Sequence, residues 1–231
     1  MKNILNEKPK TEVHGRCLYD TQFVDDRDIK NKQILDIGCG YGWFELNILK
    51  RNCKSITGIE ITEKDLKTAK ENIKNKKAFF KVGSGINLPF KNNSFDTVVS
   101  WEVIEHIPKN TEDKMFREIF RVLRPNGAFY LSTPNKSFIS NIFDPAWWLI
   151  GHRHYSKKNL VKLAEKNGFL PEEIIIKGGK WEIIGILDLY IAKWIFRREP
   201  FFYNFIKKKQ DREYLRKNGF VSLFMKVRKK L

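Results

Sequence analysis

The sequence predicts a doubly wound α/β domain, and three observations carry that expectation. Short β-branched apolar runs alternate with segments of helical period along most of the chain. The first run, Ile34-Leu35-Asp36-Ile37, breaks at once into alternate glycines, Gly38, Gly40 and Gly42, and then into apolar Trp43 to Leu49. A carboxylate, Glu60, closes the second run about 20 residues past that loop. Glycines so spaced allow positive φ and close approach of a ligand, and Asp36 ends the strand inside the same crevice.

Seven strands are expected, over 34–37, 55–60, 78–82, 94–101, 128–132, 174–176 and 219–227. Residues 1–31 form an N-terminal cap segment in which Tyr19, Phe23 and Ile29 mark a short helix over the crevice. Thr62 is an N-cap, with Asp65 at N3, for a lysine-rich helix to Asn75. Thr111 caps a helix whose Met115, Phe116, Ile119, Phe120, Val122 and Leu123 repeat at helical spacing as core. Arg124-Pro125-Asn126-Gly127 stops it. Ser156 caps a helix to Asn167, and Gly168 closes that one. No repeat or low-complexity linker interrupts the chain, so 1–231 reads as one domain.

At 231 residues, with 42% hydrophobic and 13% aromatic residues, the chain can bury one sizeable core. Cys17, Cys39 and Cys53 form no C-x-x-C pair and leave one odd, the pattern of a reduced cytoplasmic compartment. The N-terminus lacks a long apolar run, so no signal peptide is expected, and no stretch reaches the ~20 apolar residues of a spanning helix. The net charge of +17 suggests a polyanionic partner, nucleic acid or an anionic membrane face. From Lys193 to Leu231 there are thirteen Lys/Arg against three Asp/Glu. More than half of the excess therefore sits in the last sixth of the chain.

A dinucleotide fingerprint would place its third glycine at position 43, where Trp stands. The pattern D-x-G-x-G-x-G, Asp36 to Gly42, instead resembles the first motif of class I S-adenosylmethionine-dependent methyltransferases of the type 11 group. Three later segments agree in order: Gly83-Ser84-Gly85-Ile86-Asn87-Leu88-Pro89-Phe90, the run FDTVVSWEVIEHIP from Phe95 to Pro108, and R-V-L-R-P-N-G with S-T-P-N up to Asn135. The resemblance covers residues 33–135. It implies a Rossmann-like seven-stranded sheet with an antiparallel last strand and a helical insertion before that strand. It implies S-adenosylmethionine as cofactor and S-adenosylhomocysteine as product. The loop Asp36, Gly38, Cys39, Gly40, Tyr41 and Gly42 is implied to hold the donor, with Glu60 on the ribose hydroxyls and Ile61 against adenine. Gly83, Ser84 and Gly85 lie at the adenine edge, where the family has Asp at position 84 and a hydroxyl is an uncharged substitute. Trp101, Glu102 and His106 fall near the sulfonium.

What is individual lies in two acceptor-side insertions, 135–155 and 181–218. The first carries Trp147, Trp148 and His152-Arg153-His154-Tyr155-Ser156, similar to an H-x-H-[YF]-S segment beside the acceptor pocket in this group. With Tyr19, these residues are expected to line that pocket. His152 and His154 lack a third metal ligand at recognisable spacing, so no metal is expected. The second begins WEIIGILDLYIAKWIF, apolar around the helix rather than in one stripe, which predicts burial on two sides. Aromatics beside Arg197, Arg198 and Lys207-Lys208-Lys209 suit a peripheral contact with the inner face of a membrane, through 181–231. A plain cap over the pocket and a nucleic-acid contact are the alternatives.

The expected reaction is methyl transfer to an O, N or C nucleophile of a small or lipid-like acceptor. His106 is the leading base or positioning group, followed by His154 and Glu105. No [DN]-P-P-[YFW] follows the fourth strand and no Pro-Cys nucleophile appears, which argues against base methylation. An RNA methyltransferase and a non-catalytic adapter retaining the fold, for which Ser84 is the encouragement, are the competing readings.

Overall fold

The computed structural model describes residues 8–230. Seven strands, β1 Gln33–Ile37, β2 Ser55–Glu60, β3 Ala78–Val82, β4 Phe95–Trp101, β5 Leu123–Pro134, β6 Phe169–Lys177 and β7 Ser222–Lys229, form one sheet in the order β3-β2-β1-β4-β5-β7-β6. The neighbours from β3 to β5 are parallel, and β7 inserts antiparallel between β5 and β6. Strand order reverses at β1, whose neighbours are β2 and β4, and this switch point opens a crevice at the strands' carboxyl ends.

Period-two alternation puts successive side chains into two cores. Leu35, Ile37, Val98, Phe129 and Leu131 pack with Met115, Phe116, Ile119 and Val122 of α4 (Glu112–Val122) and Leu160 and Ala164 of α7 (Lys157–Lys166). Ile34, Ile56, Val99 and Tyr130 face the other way, onto Phe23 of α1 (Gly15–Phe23), Phe44 and Ile48 of α2 (Trp43–Ile48), and Tyr214 of α9 (Tyr203–Tyr214). α3 (Glu63–Asn72) begins as expected, the Thr62 hydroxyl accepting from the Asp65 amide, but stops short of Asn75.

Several boundaries depart from expectation for local reasons. β6 is longer than 174–176, because Pro171, Glu172 and Glu173 interrupt its apolar run and its register shifts there. β5 likewise reaches from Leu123 to Pro134. The last strand starts at Ser222, since Gly219 lies against the Lys177–Gly178 backbone and a Cβ there would come within 2.3 Å. Thr111 occupies its N-cap position, yet its hydroxyl donates to the Pro108 carbonyl instead of capping. Phe120 is only partly buried, its ring edge-on to Phe169 at 5.4 Å.

The first insertion folds as α5 (Phe138–Phe143) and α6 (Pro145–Ile150), the second as α8 (Lys180–Tyr190), a π turn Ile191–Ile195, and α9. The Glu213 carboxylate accepts from the Gly179, Trp181 and Glu182 amides, so a residue of α9 satisfies the open N-terminus of α8. His14 and the Gly15 amide bond Asp211, which ties α1 to α9 as well. α8 is not buried on two sides. Only Glu182 is buried along it; its apolar side chains are partly buried, and Ile184 is 40% exposed. No helix among the described residues is long and apolar enough to cross a membrane.

Candidate active site

The glycine loop turns between β1 and α2 with φ of +80° at Gly38, +55° at Gly40 and +88° at Gly42. A Cβ at Gly38 would lie 2.4 Å from Val103 and one at Gly42 2.6 Å from Ile73, so both are required for packing. Gly40 differs. Among the described residues nothing lies within 4 Å of where its Cβ would be. Its amide donates to Glu60 Oε1 at 2.9 Å, drawing the end of β2 to the loop. Ile61, next along, is 69% exposed, an apolar face presented at the crevice. Gly83, Ser84 and Gly85 line the exit of β3, where Ser84 Oγ accepts from the Ile86 amide at 3.4 Å.

Beneath the loop a third carboxylate, Glu45, joins the expected Asp36 and Glu60. Asp36, Glu45 and Glu60 are all buried, and among the described residues no donor reaches Asp36 Oδ1 or either Glu45 oxygen. Burial, then Glu45 and Glu60, pushes Asp36 well above the carboxylate range. Burial also lifts Glu45 to about 8. Burial therefore favours the protonated form of both carboxyls. Gly58, inside β2, makes the room: a Cβ there would sit 2.4 Å from Glu45 Oε1. A glycine within a strand was the available signal.

At the end of β4, Glu102 adopts φ +55°, a left-handed conformation costly for a non-glycine residue and common at functional turns. Its carboxylate pairs with Arg16 of α1 at 2.7 Å. Trp101 is buried against Phe44, at 5.4 Å between rings. Glu105 is buried, with Thr133 donating to Oε2 at 2.9 Å and no donor reaching Oε1 among the described residues. Desolvation, then Glu102, pushes it well up.

His106 meets the first insertion. Its Nε2 lies 3.1 Å from His152 Nε2, whose Nδ1 lies 2.9 Å from Asp144 Oδ2. The same oxygen lies 2.8 Å from His154 Nε2, and His154 Nδ1 is 2.7 Å from Asn141 Oδ1. The two imidazoles hold Asp144 well below the usual range against its partial burial. One edge of His106 reaches solvent. Burial of the inner edge, then His152, lowers it to about 4, so its ring is neutral near neutral pH.

The expectation that H-x-H lacks a third ligand fails, because the chain folds back. One ligand atom each from Glu105, His106 and His152, and likewise from Asp144, His152 and His154, converge within 4.8 Å. Both sets have donor types suited to a divalent ion.

A cavity of about 80 Å³ opens beside these groups, lined by Arg16, Glu102, Phe143, Asp144, His152 and His154, with Ile183 and Ile186 of α8 opposite. Four expected pocket residues do not line it. Tyr19 packs between Phe23, Tyr214 and Phe224. Trp148 is turned outward, its indole donating to the Ile142 carbonyl. Tyr155 donates to Ile104 and Glu112, bracing the turn that carries His106. Trp147 stacks edge-on to His154 at 4.9 Å, behind the cavity wall.

Comparison with known proteins places this arrangement. The family model of a methyltransferase domain matches residues 35–131. A ubiquinone biosynthesis O-methyltransferase of Pelagibacter ubique is 28% identical over 189 residues, 74% of this chain and 77% of that one. A 24-methylenesterol C-methyltransferase of Arabidopsis thaliana is 35% identical over 130 residues, 53% of this chain but only 35% of its own. Among solved structures, a Haemonchus contortus phosphoethanolamine N-methyltransferase in complex with S-adenosylhomocysteine superposes with a TM-score of 0.69 at 19% identity. That match covers 96% of this chain and 55% of the other, and it shows the fold.

Proposed function

Because the chain belongs to the S-adenosylmethionine-dependent methyltransferases, we propose that it methylates a small, lipid-like acceptor whose nucleophile is brought to His106. The relatives act on oxygen in ubiquinone biosynthesis and on carbon in a methylenesterol, which supports a largely apolar acceptor. The partly buried apolar residues Ile183 and Ile186 of α8, which line the cavity, support it too.

The cofactor supplies a methyl group already activated by its cationic sulfur. The chain's residues fit it. Gly38, Cys39, Gly40, Tyr41 and Gly42 give the glycine turn that would hold it, and Glu60, already drawn to the Gly40 amide, would accept at the ribose end. Exposed Ile61 would offer an apolar face to the adenine, and Ser84 would be the polar group at its edge. The protonated Asp36–Glu45 pair fixes the loop from behind.

One observation carries the acceptor half: the line Asp144–His152–His106. Anionic Asp144 fixes the proton of His152 on Nδ1, so His152 Nε2 is a lone pair. His106 then donates from Nε2, leaving its Nδ1 as the free lone pair that takes the acceptor's proton. His152 and Asp144 are positioning residues, and Glu105, immediately before His106, brings Oε1 to 3.8 Å from His152 Nε2. Replacing His106 with Gln should cut methyl transfer about 100-fold or more across a panel of prenylated phenols and amines. Binding of S-adenosylhomocysteine should be unchanged. Equal turnover by the variant would remove His106 from the chemistry.

A second reading has specific support in the partnerless Glu105 Oε1, 3.8 Å from His152 Nε2. A divalent ion on Glu105, His106 and His152 would then replace the shared proton. Activity that survives exhaustive chelation excludes it.

A further inference from the structure

The corner between the π turn and α9 presents side chains that a water-facing surface normally hides. Trp194 is 65% exposed, Ile195 70%, Phe196 57% and Phe202 66%, with Ile191 and Phe205 beside them in the sequence and also exposed. They are held there. The Asp188 carboxylate accepts from the Phe201 and Phe202 amides at 3.2 Å each, the Arg198 amide donates to Ala192, and Lys193 pairs with Glu199 at 2.7 Å. Arg197 at the tip has φ +51°. An apolar tip pinned by its own backbone is a built feature, and apolar patches of this kind mark interaction surfaces.

Charge identifies the partner. From Ile191 to Lys209 there are six Lys/Arg and one Asp/Glu, and that acid is the one held by Lys193. Arg198 lies over the Phe201 ring at 4.4 Å and Lys207 over Tyr203 at 3.5 Å, so cations fringe the rings. A second copy of this chain would bring like charge against like charge. A nucleic acid would want open aromatic faces, whereas Phe196 and Phe201 are turned edge-to-face at 5.2 Å and Ile191 and Ile195 offer nothing to stack. Apolar tips with an Arg/Lys fringe match the boundary between acyl chains and anionic headgroups.

We propose that this corner seats on an anionic bilayer surface, with Trp194, Ile195, Phe196 and Phe202 entering the headgroup–acyl boundary and Arg197, Arg198 and Lys207 meeting the headgroups. It rests on the lipid-like acceptor proposed above and names where that acceptor is collected. α8 runs from this corner to the cavity wall at Ile183 and Ile186, a short apolar path from bilayer to site.

Sedimentation with phosphatidylcholine vesicles, with and without phosphatidylglycerol, tests it. The full chain should pellet with phosphatidylglycerol vesicles only, and added salt should release it. The double variants Arg197→Glu/Arg198→Glu and Trp194→Ser/Phe202→Ser should each weaken pelleting about thirtyfold or more. Both should bind S-adenosylhomocysteine like the wild type, which shows that they fold and leaves the methyl-transfer reading separately testable. Failure of the wild type to pellet, or pelleting that ignores both double variants, overturns the proposal. So does tRNA binding lost in the arginine variant, or a concentration-dependent dimer lost in the aromatic one, without vesicle binding by the wild type.

Discussion

His152 stands between Asp144 and His106, 2.9 Å from one and 3.1 Å from the other, and so converts a carboxylate of the first insertion into an orienting group for the E-H-I turn. If the relay operates, Asp144→Asn and His152→Gln lower kcat by about tenfold to a hundredfold, with KM little changed. Asp144→Glu recovers part of the loss. A change confined to KM would assign the pair to acceptor binding.

His106 also sets an acid limit. Its folded value of about 4 lies below the usual 6.5, so the unfolded chain binds more protons between those values. Its contribution to stability is full above the upper value and is lost as pH falls through the lower one. Thermal melts of His106→Gln should therefore lose less of their Tm than wild type does on acidification across that window. Parallel curves would contradict the buried inner edge.

Glu45 acts with the opposite sign. Its carboxyl is raised from 4.5 to about 8, so the folded chain holds the extra proton, and stability falls as pH rises through that interval. Glu45→Gln should flatten the fall in Tm across the interval and gain most at its alkaline end. Coupling to Asp36 predicts that S-adenosylhomocysteine affinity becomes less pH-dependent in the same variant.

The two glycines of the loop separate packing from binding. Gly38→Ala meets Val103 at 2.4 Å and should destabilise the fold by about 2 kcal/mol or more. Gly40→Ala meets nothing within 4 Å and costs only the ~1 kcal/mol of a left-handed alanine. It should fold, yet bind S-adenosylhomocysteine at least about tenfold more weakly, because its methyl projects into the open turn. Calorimetry beside a thermal melt distinguishes the two.

The glycine loop and the strand ends beside it were legible because they are local. Strand, glycine turn and helix follow one another between Gln33 and Ile48, and Glu60 and Thr62 stand where spacing places them. The acceptor half was not. Asp144 reaches His152 and His154 only because α6 folds the chain back, and Arg16 meets Glu102 across 86 positions. Tyr155 was read as lining because of its neighbours, but its own hydroxyl turns inward to Glu112. Glu45 finds its space beside Gly58 of β2, a neighbour that sequence order does not announce. Polar residues buried in pairs defeat a reading that sorts residues by polarity alone.

The central claim is that the donor lies along the glycine loop with its ribose on Glu60. Titrating S-adenosylhomocysteine calorimetrically into wild type, Glu60→Ala and the exposed control Glu63→Ala tests it most directly. One molecule should bind per chain, at least about tenfold more weakly in Glu60→Ala and unchanged in Glu63→Ala. No binding by the wild type, or equal affinity in all three, would contradict it.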